Sequence, residues 1–228
     1  TSPVKTRLKR RSTPCCPAKG RTCFMSLIDS RPGIETVKIY DIYRESSEKL
    51  AAFIRENYPA VKEICICESI EEAVKDADII NVAASGKIYP RIEEKWLKPG
   101  AFLTLPAGID MAEDFLISDR CRRVVDNWKM YEAWSEELTK PYWNIMGLIG
   151  TKYLDLIDAG KLSVSQIDNL GEIIAGKKEG RKNNEEIILF GMGGMPVYDV
   201  AWGFQMLENA RKKGLGTTLH LWDEPNMA

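Results

Sequence analysis

Lys98–Asp110 reads KPGAFLTLPAGID, and the way this stretch parses decides the fold. Pro99-Gly100 is a turn pair. Ala101–Leu105 is short and wholly apolar, the pattern of a strand covered on both faces. Pro106, Ala107 and Gly108 stop it, and Asp110 follows just past its carboxyl end. In open α/β sheets that edge is where ligands bind and catalytic groups are placed. A carboxylate there could pass protons to and from a bound nitrogen or an attacking water. From spacing alone, an N-cap for a short helix over Met111–Phe115 accounts for Asp110 equally well.

Strands and helices alternate on both sides of this stretch. Upstream, the pattern predicts the end of a helix over Cys23–Asp29, a strand over Glu35–Ile42 and a helix over Ser46–Tyr58. A strand over Val61–Cys67 follows, then a short helix capped by Ser69 with Glu72 as its capping-box partner, and a strand over Asp78–Ala84. Downstream come a strand over Arg122–Asp126 and a helix over Trp128–Leu138. Helices over Asn144–Ala159 and Val164–Ala175 end at Gly160 and Gly176. Glu186–Phe190 reads as a strand, Gly191–Gly194 as a turn, and Pro196 as the start of a helix to about Lys213, with a last strand over Thr217–Trp222. This alternation predicts an α/β fold: a Rossmann-like doubly wound parallel sheet with right-handed crossovers, followed by C-terminal helices.

The sheet is expected to be incomplete. A dinucleotide-binding unit opens with a buried strand leading into G-x-G-x-x-G, whose glycines let the backbone meet a pyrophosphate at a helix N-terminus. The corresponding place holds Cys15-Cys16-Pro17-Ala18-Lys19-Gly20, where only Gly20 fits. A proline-bearing segment does not make a central strand, so a gap is expected mid-sheet. Residues 1–21 are basic, lack any acid and are interrupted by Pro3, Pro14 and Pro17. They read as a disordered or non-native leader, in preference to a nucleic-acid-binding arm or an organelle presequence. The expected domains are this leader (1–21), a Rossmann-like NAD(P)-binding domain (22–140), and a helical segment with a strand-turn-helix that completes the fold (141–228).

The 228 residues can bury a full core, and 44% hydrophobic with 29% charged residues is the balance of a soluble globular chain. A net charge of −1 argues against a general nucleic-acid or membrane-surface role. The six cysteines follow no disulfide or zinc spacing, so buried free thiols in a reduced, cytoplasmic chain are preferred over a metal site. One histidine, His220, makes Ser-His-Asp chemistry and histidine-rich metal sites improbable.

Beyond Asp110, Asp41 ends its strand where an acid would accept hydrogen bonds from an adenosine ribose, favouring NAD. The alternative is a solvated strand-end aspartate, and Arg44 keeps NADP open. Gly191-x-Gly193-Gly194, between a strand and a helix, reads equally as a phosphate-binding turn or as a tight connection. Ala83-Ala84-Ser85 is a small-residue stretch that would admit a cofactor closely, or would simply pack.

These segments together resemble the ornithine cyclodeaminase/mu-crystallin family. The resemblance is carried by PGIETVKIYDI, IINVAASGKIYP, WLKPGAFLTLPAGID, LGEIIAGKKEGR, EEIILFGMGGMPVYDVAWG and ARKKGLGTTLHLW, in family order. It implies that Asp110 is the catalytic aspartate, with Gly108 in the same loop, and Asp41 the ribose-binding acid. It also places Ala83 and Ser85 where threonines usually line the cofactor, Gly194 close to the nicotinamide, and Asp199 at the end of the same segment. NAD is the implied cofactor, with NADP open, and a small amino or imino acid the implied substrate. A homodimer is the assembly the resemblance implies for full-length relatives. The sequence departs from the family in three places. The portion that supplies the dimer interface and the substrate-carboxylate clamp is not in it, CCPAKG replaces the glycine-rich loop, and Gly191-Met192-Gly193 replaces D-S-T. The expectation is a truncated or frame-shifted family member: an NAD(P)-dependent oxidoreductase or cyclodeaminase by descent. A non-catalytic ligand-binding protein of the mu-crystallin type and an inactive fragment are the alternatives.

Overall fold

A computed structural model describes residues 10–14, 17–84, 88–220 and 223. Its centre is an eight-stranded sheet in the order β3-β2-β1-β4-β5-β8-β6-β7. The strands are β1 (Arg10–Pro14), β2 (Ile34–Ile39), β3 (Glu63–Ile66), β4 (Ile79–Asn81), β5 (Phe102–Leu105), β6 (Cys121–Val125), β7 (Ile167–Asn169) and β8 (Ile187–Gly191). Every pairing is parallel. The helices are α1 (Pro17–Ser30), α2 (Arg44–Asn57), α3 (Ile70–Val74), α4 (Glu113–Ile117), α5 (Trp128–Glu137), α6 (Tyr142–Met146), α7 (Ile149–Asp158), α8 (Leu170–Ile174) and α9 (Pro196–Lys213).

The mid-sheet gap expected from the sequence is filled. Arg10–Pro14, inside the segment read as a leader, pairs with β2 on one side and β4 on the other. The argument from proline fails because of where the prolines fall. Pro14 is the last residue of β1 and Pro17 the first of α1. A strand end and a helix start tolerate a missing N–H, so neither proline breaks a ladder or a helix. Residues 1–9 lie outside the described residues.

Two apolar clusters hold the sheet. Phe24 and Ile28 of α1 and Leu50, Ala51 and Ile54 of α2 pack on Val37 and Ile39 of β2. The second cluster gathers Ile80, Leu103, Leu105 and Leu189 from alternate strand positions with Phe115, Trp128, Tyr131, Ile149 and Tyr153. Side chains alternate across a strand, so Ile80 and its neighbour Asn81 face opposite ways. A cavity of about 720 Å³ lies on the Asn81 side, between α1 residues such as Ser26 and Leu27 and the strand residues Ile79, Phe102, Thr104, Ile188 and Phe190.

Three further expectations are revised. The helix expected over Asn144–Ala159 is two helices, α6 and α7, parted at Gly147, which takes a left-handed conformation (φ 64°). The helix expected over Val164–Ala175 is a 3₁₀ turn, the short strand β7 and α8. Ile167–Asn169 is too short to show a period of its own and is drawn into the sheet by its ladder with β6. Thr217–His220 forms no strand, and Leu221–Trp222 lie outside the described residues.

The chain divides into two compact units after Gly193, and β7 and β8 belong to the sheet of the first. The second, Gly194–Ala228, contains α9, with Pro196 in its first turn, Arg211, Lys212 and Lys213 in its last, and Gly214 (φ 62°) as its left-handed cap. Among the described residues no helix is long and apolar enough to cross a membrane.

Candidate functional site

All the strands run the same way, so their carboxyl ends share one edge. The chain winds outward from β1 through β2 to β3, then resumes at β4 on the other side of β1. The boundary between β1 and β4 is therefore the switch point at which a crevice opens. The residues just beyond β2, β4, β5, β6 and β8 lie along this edge: Asp41, Ala83, Gly108 with Asp110, Asp126, and Met192 with Gly193. The 720 Å³ cavity, by contrast, lies on a sheet face. The strand-end crevice is the better candidate because the charged and strand-terminal groups converge there.

Asp110 does not cap the helix that follows. α4 begins at Glu113 behind Ala112, and no side chain caps it. Instead, the Asp110 N–H donates to the Pro90 carbonyl (2.9 Å), and the Asp110 carbonyl accepts from the Ile92 N–H (3.0 Å), forming a parallel bridge with Arg91. Its side chain is 52% exposed and accepts a hydrogen bond from Arg91 Nη1 at 3.0 Å. Arg91 Nε donates to Glu93 at 2.9 Å. The two carboxylates, Glu93 before Asp110, hold the guanidinium above its ordinary pKa.

The loop carrying Asp110 is held from behind. The Tyr89 ring packs so tightly on Gly108 and Gly147 that a Cβ on either glycine would overlap it, and one on Gly108 would also meet the Gly147 carbonyl. Trp143 sits against Tyr89 with ring centroids 5.0 Å apart. Gly108 is thus a close-packing position in the wall behind the acid.

Asp41 accepts the Tyr43 N–H at 2.9 Å, a local turn leading into α2, and its second oxygen has no partner among the described residues. Arg44 is committed elsewhere. It donates to Glu48 at 3.2 Å and to Glu68, and these partners raise its pKa, Glu68 foremost. Ala83 is fully buried. Ser85 lies outside the described residues, and Gly194 (φ 89°) opens the second unit.

The phosphate-turn reading of Gly191–Gly194 gives way to the tight connection. The Met192 N–H donates to the Leu105 carbonyl (3.3 Å) and the Gly193 N–H to Asp126 Oδ2 (2.8 Å), so these donors are already used. A Cβ on Gly191 would overlap Ile149, and one on Gly193 would overlap Met130. Asp126, 8% exposed, ties the end of β6 to the end of β8, and the sequence showed it only as the last residue of a strand. Among the described residues, two thiols are poor nucleophiles. Burial pushes Cys67 up to about 11 and Cys121 up to about 12.

The family model described as the ornithine cyclodeaminase/mu-crystallin family matches residues 16–214. Among curated proteins, the chain is similar to the N-((2S)-2-amino-2-carboxyethyl)-L-glutamate dehydrogenase of Staphylococcus aureus, 25% identical over 209 residues, covering 91% of this chain and 56% of that protein. Among solved structures, it is similar to the Delta(1)-pyrroline-2-carboxylate reductase of Thermococcus litoralis in complex with NADH and L-proline. There the TM-score is 0.74 at 22% identity, covering 94% of this chain and 62% of that one. An archaeal alanine dehydrogenase dimer with bound NAD gives a TM-score of 0.72 at 18% identity, covering 95% and 62%. These likenesses show the fold. The chain spans little more than half the length of the curated relative.

Proposed function

The chain belongs to the ornithine cyclodeaminase/mu-crystallin family, and from that premise we propose that its strand-end crevice serves a nicotinamide-dependent oxidoreductase or cyclodeaminase acting on a small amino acid or its imine. The observation that carries the proposal is Asp110: a carboxylate set past the end of a central strand, beside the switch point, and not consumed as a helix cap.

The residues present fit the adenosine end of NAD. Asp41 has an oxygen left for a ribose hydroxyl. Arg44, the one residue that kept NADP open, is occupied by Glu48 and Glu68, which favours NAD. Ala83, Ser85 and Gly108 are assigned to the cofactor's surroundings. The cofactor would supply hydride transfer at the substrate's α-carbon. Asp110 would receive and return the proton at the substrate nitrogen, and Arg91 and the Tyr89–Gly108 wall would keep its carboxylate in place. A homodimer is the proposed assembly, supported by the dimeric archaeal alanine dehydrogenase.

A second reading, a ligand-binding protein without turnover, is favoured by CCPAKG at the place of the glycine-rich loop. Following NADH formation with L-proline or L-alanine, and ammonia release from L-ornithine, whose cyclisation returns the hydride to the product, separates the two. Turnover is expected, and Asp110→Asn should lower kcat by about 10²-fold or more while NADH still binds. Turnover in Asp110→Asn equal to that of the parent would remove Asp110 from the chemistry. Binding without any turnover would leave the second reading.

A further inference from the structure

The 720 Å³ cavity on the sheet face has no part in the chemistry of the crevice. We propose that it is a second binding site, for a fused-ring carboxylic acid of about sterol size with an oxygen at the end opposite its carboxylate. The proposal does not rest on the reading of the crevice.

The ladder register sets the floor of the cavity. Ile79, Phe102 and Ile188 stand abreast on β4, β5 and β8, and Asn81, Thr104 and Phe190 stand abreast two residues further on. Alternate positions share a face, so these six form one surface, while Ile80, Leu103 and Leu189 turn into the core behind it. Phe102 and Phe190 lay nearly parallel rings on this floor, 6.5 Å between centroids. Three strands side by side make it about 10 Å broad, too wide for a single alkyl chain and matched to a fused-ring body. One end is polar. The Thr104 hydroxyl donates to Asn81 Oδ1 at 2.7 Å, which leaves the amide N–H groups as the open donors. Asn81 is 2% exposed, and its Nδ2 has no partner among the described residues. A buried amide left without an acceptor is costly, and Asn81 lines the cavity, so a ligand oxygen there satisfies it. The other end is positive. Arg31 and Arg181 line it, Arg181 beside Gly100, about 13 Å down β5 from Thr104. Arg181 Nη1 is steadied by the Glu186 carbonyl at 2.7 Å. Neither guanidinium makes an ion pair among the described residues, while Asp78, the acid of the lining, is held by Lys98. A carboxylate on the ligand complements this end.

The test titrates the full chain with lithocholate, below its micellar concentration, and with two analogues. Cholanate lacks the hydroxyl, and lithocholate methyl ester lacks the charge. Lithocholate is expected to bind saturably, about three- to tenfold more tightly than cholanate, the worth of one neutral hydrogen bond. It should bind about tenfold more tightly than the ester. The double variant Asn81→Leu, Thr104→Val removes both halves of the polar pair and should bind lithocholate and cholanate alike. The double variant Arg31→Gln, Arg181→Gln should bind acid and ester alike. Both arginines are exposed, so this second variant reads out even where the buried one does not fold. No saturable binding of lithocholate, equal affinities for the three ligands in the parent, or an unchanged preference for the acid in the arginine variant would each overturn the proposal. Sedimentation covers the other occupant of such a face. A parent dimer that Phe102→Asp separates into folded monomers would give the face to a second copy of the chain and overturn the proposal too.

Discussion

Glu113 shows how single residues on this fold are tuned. It opens α4, just beyond the Asp110 loop, and its two oxygens accept from Lys152 and Lys161, each at 2.7 Å. The Lys152 hydrogen bond, then that of Lys161, pull its carboxyl down to about 2 from 4.5. The folded pKa lies below the unfolded one, so this contribution to stability is fully present above pH 4.5. It fades as the pH falls from there towards 2. Glu113 is 41% exposed and solvent screens the pair, so the effect is at most about 1 kcal/mol. Urea unfolding of Glu113→Gln should show lower stability than the parent at pH 6, with the two curves converging by about pH 2. A gap that stays constant across that range would show that the lysines do not act through this carboxylate. Asp110 answers to the same kind of partner, but at the mouth of a crevice, where an ion pair can hold an acid ready for use.

At the scale of elements, the loop after β5 packs its Gly108 against Tyr89 and against Gly147 of the α6–α7 connection. Gly108→Ala should cost about 1–3 kcal/mol, the usual penalty for overpacking, because its Cβ would overlap both the Tyr89 ring and the Gly147 carbonyl. Denaturant midpoints of Gly108→Ala, Tyr89→Ala and the double mutant check this. The double mutant should lose less than the sum of the singles, and strict additivity would mean that the two do not share the contact. Much of this architecture was legible in the sequence. Ala101–Leu105 announced its strand because it is apolar throughout, and Ser69 announced its cap. The structure adds that the return bond from Glu72 reaches the Glu68 N–H. Residues 10–14 were illegible for a physical reason. A parallel strand between two neighbours is held by backbone ladders on both sides, so a basic, proline-ended sequence shows no pattern of its own. Asp126 and Arg91 were missed for another reason. Their partners, Gly193 and Asp110, are far away in sequence and meet them only once the sheet has formed.

At the scale of the molecule, the parallel order places β2 and β3 on one side of β1 and the other five strands on the other, and with it a switch point whose rim carries Asp41 on one side and Asp110 on the other. The function proposed for this chain depends on that crevice receiving a nicotinamide dinucleotide. The family match covers residues 16–214, yet residues 15–20, from the end of β1 into the first turn of α1, read CCPAKG where glycines would meet a pyrophosphate. Binding therefore has to be carried by the strand-end groups that remain. The most direct measurement is a fluorescence titration of NADH against this chain and its Asp41→Ala variant. The account predicts saturable binding to the parent and a loss of roughly ten- to hundredfold in the variant, the worth of a hydrogen bond to a charged group. Absence of saturable binding, or equal affinity in Asp41→Ala, would contradict it.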